Sequence, residues 1–115
     1  MHTRFNRCCL AAFICLAAAP AIAQDSARLA LGAKTFESSC KACHDTGRPQ
    51  NDAPQLSDKS EWKERYGKGL ADLYKSSLEG FTGYFAMPAR GANPALSDDE
   101  VKAAVDYMLQ RAGVR

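Results

Sequence analysis

Residues 40–44 read Cys-Lys-Ala-Cys-His. Two thiols three positions apart, followed at once by an imidazole, suit three chemistries: a dithiol redox switch, half of a zinc site, or covalent attachment of haem. The remainder of the chain discriminates among them.

The N-terminal residues set the compartment and the count of ligands. Met1 to Arg7 carries Arg4 and Arg7 and no acid, Cys8 to Ala19 is an unbroken apolar run, and Pro20 precedes the small-x-small stretch Ala21-Ile22-Ala23. This is the three-part pattern of a secretory signal peptide. Residues 1–23 are expected to be removed, leaving residues 24–115 as one exported domain in the periplasm. The alternative is a membrane anchor, but the apolar run is shorter than the roughly 20 residues a spanning helix requires. A lipid anchor fits less well, because Cys8, Cys9 and Cys15 precede the cleavage point. No stable membrane insertion is expected.

Cleavage reduces the five cysteines to Cys40 and Cys43 and the two histidines to His44. Losing Arg4 and Arg7 from the 15 basic residues leaves 13 against 13 acidic ones, so the exported domain is formally neutral. Nucleic-acid binding, which favours a strongly basic face, is not indicated. The domain is alanine-rich with few large aliphatics. Small domains with so thin a core need a disulfide, a metal or a large ligand.

A zinc site takes four ligands, and only two cysteines and one histidine remain. A dithiol switch belongs at a strand-to-helix junction in a βαβ context, and no strand is predicted here. A structural disulfide suits an oxidising compartment but leaves His44 unexplained. Haem attachment uses all three residues. Positions i and i+3 place both thiols on one helical face, and His44, four residues after Cys40, shares it. From there it can ligate iron through one ring nitrogen. One covalently bound haem c is the expected cofactor.

Elimination narrows the second axial ligand. His44 is the sole histidine after cleavage, and a neutral thioether is the common partner of histidine in such sites. Met108 falls on the apolar stripe of the last predicted helix, where packing is the simpler role. Met87 lies in the loop sequence GYFAMPARGANP, whose glycines and prolines can present a side chain at a fixed angle. Met87 is therefore the expected sixth ligand.

The elements that must position these groups are helical. Leu29, Gly32, Phe36, Cys40 and Cys43 recur at spacings of three and four, predicting a helix over about 27–43. A loop through Gly47, Pro49, Asn51, Asp52 and Pro54 follows. Short helices are predicted over 60–66 and 70–79, the second with Leu70, Leu73, Tyr74 and Leu78 on one stripe and Gly80 as a stop. The loop 81–96 leads to a final helix opened by a Ser97/Glu100 capping box, with Val101, Ala104, Val105, Met108 and Ala112 as its apolar face.

The stretches CKACH, NDAPQL, EWKERYGKG and AMPARGANPALSDDEVKAAVDYML resemble the class I cytochromes c, and within them the short bacterial cytochrome c-five group. The resemblance implies an all-α, class I cytochrome c fold, about four helices wrapped around one haem. It implies a glycine-aromatic crossing of the first and last helices, matched by Gly32, Phe36 and Tyr107. It also implies that the Pro54 carbonyl accepts the second ring N–H of His44. Trp62 and Arg65 resemble positions near the haem propionates; the alternative for Trp62 is a core aromatic, and for Arg65 a solvated charge. Two departures stand out: Ala89 and Ala92 replace a proline and a glycine of the group's methionine loop. An extra disulfide found in some members has no cysteines here.

By this resemblance the protein is an electron carrier and not an enzyme. Its iron would cycle between ferrous and ferric, helped by apolar packing from Leu56, Leu73, Leu78 and Phe81. Its partners would be redox proteins: a quinol-oxidising complex, an oxidase, a reductase or a dehydrogenase. It would act as a monomer or weak dimer. Alternatives are a haem domain with an open iron site, working as a small-ligand sensor or redox enzyme subunit, and a haem-free disulfide domain with a binding role.

Overall fold

Side-chain caps open two of the helices. A computed structural model describes residues 21–48, 52–83 and 86–115. Most of the expected signal peptide, residues 1–20, lies outside the described residues. Ser97 caps the last helix: its hydroxyl accepts the Glu100 N–H at 3.3 Å while Glu100 accepts the Ser97 N–H at 2.8 Å. Three acids fill the first turn at the positive end of the helix. Asp58 does the same for a shorter helix, accepting the Glu61 N–H at 3.1 Å.

The helices are α1 (Ala21–Thr35), α2 (Lys41–His44), α3 (Lys59–Gly67), α4 (Leu70–Glu79) and α5 (Asp98–Arg111). A π-helical turn, Phe36–Cys40, joins α1 to α2, and a 3-10 turn, Ala89–Ala92, lies in the loop before α5. No strand forms among the described residues; Phe81 and Met87 make an isolated antiparallel bridge. The architecture is thus the expected all-α one.

The first helix differs from its prediction in two ways. Among the described residues it is already helical from Ala21, earlier than the predicted start near 27, because alanine and glutamine favour the helix without an apolar period. It is also not uniform. The Lys41 N–H reaches back to the Phe36 carbonyl, one residue further than in an α-helix, so the coil widens immediately before the cysteine motif. Side-chain periodicity does not report such a change of hydrogen-bond register.

α5 is the spine of the core. Its expected face, Val101, Ala104, Val105, Met108 and Ala112, is buried, and Ala103 and Leu109 widen it. Phe36, Leu56 and Trp62 pack against it, with Leu70, Leu73 and Tyr74 of α4 on the flank. α1 crosses α5 where Gly32 meets Ala103 and Tyr107. The Phe36 and Tyr107 rings fill the notch at 5.4 Å with a 49° tilt. The implied glycine-aromatic crossing is present.

A buried carboxylate, which the pattern of apolar residues did not predict, ties the same elements together. Asp106 accepts the Tyr74 hydroxyl at 2.7 Å, the Arg28 Nε–H at 2.6 Å and a guanidinium N–H of Arg115. Among the described residues, no helix is long and apolar enough to cross a membrane.

Candidate functional site

The cysteine motif is helical, as its spacing requires. Cys40 closes the π turn and Cys43 and His44 lie in α2, so both thiols and the imidazole line the same cavity. Cys40 and Cys43 are free thiols, each partly buried. Burial, and secondly the neighbouring Cys43, pushes the Cys40 thiol up to about 11, so it is protonated at neutral pH.

His44 is 6 % exposed. Its Nδ1 lies 2.9 Å from the Pro54 carbonyl oxygen. A carbonyl can only accept, so Nδ1 carries the proton and the other ring nitrogen keeps its lone pair. Burial holds the imidazole below the usual histidine range, the Pro54 bond opposes that, and the Arg65 charge adds to it. Burial and the Arg65 charge thus favour the neutral ring over the charged one.

The cavity, about 410 Å³, is walled mostly by apolar groups from α4, α5 and the loop before α5. Met87 lines it. Its backbone is fixed by two hydrogen bonds with Phe81, N–H to carbonyl in each direction at 2.8 and 2.9 Å. The turn after it runs through three consecutive left-handed residues, Arg90, Gly91 and Ala92. Gly91 is required there: a Cβ would stand 2.6 Å from the Ser39 carbonyl oxygen in the π turn. The methionine loop is thus seated directly on the segment that carries Cys40. Met108 also lines the cavity, from α5, and at the same time belongs to the packed core.

The remaining expected residues converge with differences. Trp62 lines the cavity, and its indole N–H is donated to the Gln55 carbonyl at 2.9 Å. Arg65 lines it too and is paired with Glu61, so it is not a purely solvated charge. Its Nε is buried without a partner among the described residues. Of the four expected apolar packing residues, Leu73 and Phe81 reach the cavity, and Phe81 does so from the rim, 49 % exposed. Leu56 is buried in the core and does not line it, and Leu78, partly buried at the far end of α4, does not line it either. Leu56 lies in the loop between α2 and α3, where no helical period fixes its direction, and it is taken up by the core with Trp62 and Leu109.

A residue absent from the sequence expectations stands behind His44. Gln55 is 8 % exposed, and its side chain bonds the backbone on both sides of His44. Glutamine carries no sequence signal for such a role; the surrounding NDAPQL stretch points only to Pro54.

The donor set fits a covalently held haem. Two free thiols share a wall with a neutral imidazole, a thioether lines the same apolar space, and a buried cationic N–H without a partner suits an anionic substituent.

Fold and site together define a class I cytochrome c. Residues 27–108 match the family described as "Cytochrome C oxidase, cbb3-type, subunit III", and the chain belongs to this family of cytochromes c, whose members bind covalently attached haem c. It is similar to cytochrome c-555 of Chlorobaculum thiosulfatiphilum, 40 % identical over 70 % of this chain and 92 % of that protein. It is similar also to cytochrome c5 of Azotobacter vinelandii, 42 % identical over 60 % of this chain and 80 % of that protein. A chain from the crystal structure of an electron transfer complex of nitrite reductase with cytochrome c superposes with a TM-score of 0.62. That chain is 33 % identical, and the match covers 71 % of this chain and 94 % of that one. The chain is an electron-transfer cytochrome rather than an enzyme.

Proposed function

We propose that this cytochrome is a periplasmic one-electron carrier in which Cys40 and Cys43 hold a single haem c and His44 and Met87 are its axial ligands. The observation that carries the reading is the 2.9 Å contact between His44 Nδ1 and the Pro54 carbonyl, in a cavity that Met87 also lines. When bound, haem c supplies one-electron chemistry, its iron alternating between ferrous and ferric.

The chain's own residues tune that chemistry. The Pro54 carbonyl fixes the tautomer and orientation of His44 and raises its basicity. The Met87 thioether favours the ferrous form and so raises the potential. Val101, Ala104 and Val105 contribute apolar wall and keep water out, which disfavours the extra charge of the ferric state. Arg65 would offer its buried Nε–H to a propionate, and Trp62 would help wall the group in. With both His44 and Met87 bound to it, the iron would keep no open position for a small molecule, so this ligand set would suit a carrier rather than a sensor.

The leader pattern supports export, and the partners consistent with the reading are a quinol-oxidising complex, an oxidase, a dehydrogenase, or a reductase such as the nitrite reductase in the related complex. Absorption spectra of the purified ferric protein test the ligand set. A methionine-to-iron charge-transfer band is expected in the wild type and in Met108→Leu, and its loss in Met87→Ala. Absence of the band from the wild type, together with rapid carbon monoxide binding to the ferrous form, would overturn the assignment in favour of an open site.

A further inference from the structure

We infer that Gln55 is a positioning residue that clamps His44 in place, a role that rests on His44 being an axial ligand. Its side-chain amide is fully used. Nε2 donates to the Cys43 carbonyl at 2.7 Å and the Ala53 carbonyl at 3.0 Å. Oε1 accepts the Thr46 N–H at 2.9 Å and the Thr46 hydroxyl at 3.2 Å. The amide faces two carbonyls on one side and a backbone N–H on the other, so its partners fix its orientation.

Cys43 and Thr46 lie on either side of His44 in the chain. The Cys43 carbonyl is one of those that a helix leaves without an intrahelical partner at its C-terminus. The neighbours of Gln55 grip the residue between. The Pro54 carbonyl takes the His44 ring N–H at 2.9 Å, and the Leu56 N–H is donated to the His44 carbonyl at 2.9 Å. Three consecutive residues therefore hold the ring, the backbone on either side of it, and the carbonyl of His44 itself. A histidine ring moves by rotation about two side-chain torsions. Both are restricted when ring and backbone are gripped by one rigid segment.

The segment is itself anchored. The Gln55 backbone carbonyl accepts the indole N–H of Trp62, which is buried in the core. Gln55 thus links the core to the end of α2 through its carbonyl on one side and its amide on the other. Any buried amide needs partners; those of Gln55 include the backbone of Cys43 and Thr46, which flank His44 in the chain. Without the amide, the Leu56 N–H bond to the His44 carbonyl and the Trp62 bond to the Gln55 carbonyl still hold the segment, but no side chain ties Pro54's neighbour to the backbone flanking the ring.

The test uses the haem-loaded protein. Gln55→Met keeps the length of the side chain and removes both hydrogen-bonding groups. Nuclear magnetic resonance then reports exchange of the His44 Nδ1–H with solvent, and a redox titration reports the midpoint potential. Exchange is expected to accelerate at least tenfold. The potential is expected to rise, because a weakened Nδ1–H bond leaves a less basic imidazole that stabilises the ferric state less. Unchanged exchange and potential in a folded Gln55→Met protein would overturn the clamp. Should that variant not accumulate, the wild type decides: the Thr46 N–H and the His44 Nδ1–H are expected to exchange through one shared opening. Opening rates differing more than tenfold would overturn it. Hyperfine-shifted ring-proton signals of His44 in the ferric wild type separately report whether His44 ligates iron, so loss of the ligand reading and loss of the clamp are distinguishable.

Discussion

Gly32 approaches Ala103 so closely that a Cβ on the glycine would lie 2.1 Å from the Ala103 carbonyl oxygen and 2.9 Å from the Tyr107 Cβ. The obstructing atoms are mainly backbone, which cannot swing aside. Gly32→Ala gains about 1 kcal/mol of helix propensity. It must then push α1 off α5, and overpacking of this kind costs about 1–3 kcal/mol or more. With a backbone oxygen only 2.1 Å away the upper end applies, about 3 kcal/mol, so the expected outcome is a net loss of about 2 kcal/mol, a fall in Tm of roughly 8–16 °C for a domain of this size. Thermal melts followed by circular dichroism check it; an unchanged Tm would show that the two helices can separate freely.

Ala92 occupies a left-handed conformation, φ 62°, at the position where the resemblance to the cytochrome c-five group calls for glycine. A residue with a Cβ pays roughly 1–2 kcal/mol there, offset in part by the larger entropy that glycine loses on folding. Ala92→Gly is expected to raise Tm by a few degrees without altering the absorption spectrum. Arg90 is also left-handed, φ 54°, but it donates to the Leu96 carbonyl at 2.9 Å and pairs with Asp98 at 2.6 Å. Arg90→Gly relieves the same strain and loses those bonds, so no comparable gain is expected. Equal gains from both substitutions would refute the strain argument.

These two positions show how much of the molecule was legible from sequence. The helical setting of the cysteine motif and the Ser97 cap were readable because each needs particular residue types at fixed spacing. Gly32 and Pro54 were readable by resemblance alone. The π turn was not, because it alters hydrogen-bond register while leaving the residue pattern intact. Gln55 and Asp106 were not, because their partners are backbone groups or residues distant in sequence. Asp106 is buried among donors from α1, α4 and the chain's last residue, and a lone aspartate on a helix normally reads as a solvated one.

The capping box gives α5 a defined acid sensitivity. The Glu100 carboxyl lies below its ordinary value, first because it accepts the Ser97 backbone N–H and then the Ser97 hydroxyl. A carboxyl depressed in the folded state stabilises the fold above its unfolded pKa, and that contribution is lost as pH falls through the folded value. Glu100→Gln removes the titration while keeping an acceptor for the Ser97 N–H. The variant is expected to melt below the wild type at neutral pH. The gap should close between about pH 5 and pH 3, the ordinary carboxylate range. A gap independent of pH would show that the charge plays no part.

Asp106 and Tyr74 govern the opposite limb. Burial, and secondly the bond to Asp106, raises the Tyr74 hydroxyl above its ordinary value. A tyrosine raised in the folded state contributes stability that is complete below its unfolded pKa and lost as pH climbs through the folded one. Tyr74→Phe deletes one hydrogen bond to a charged group, worth about 1.5–3 kcal/mol when well buried and less here because Tyr74 is only partly buried. The variant is expected to be less stable at neutral pH. Its melting temperature should fall less steeply than that of the wild type above about pH 10, the ordinary tyrosine range. Asp106→Ala should cost more, because it leaves Tyr74, Arg28 and Arg115 without their shared acceptor and unties α1, α4 and the C-terminal residue from α5. Denaturant titrations of both variants, with the double variant, measure the coupling. Strict additivity of the two losses would show that the Tyr74 bond to Asp106 contributes nothing to the junction.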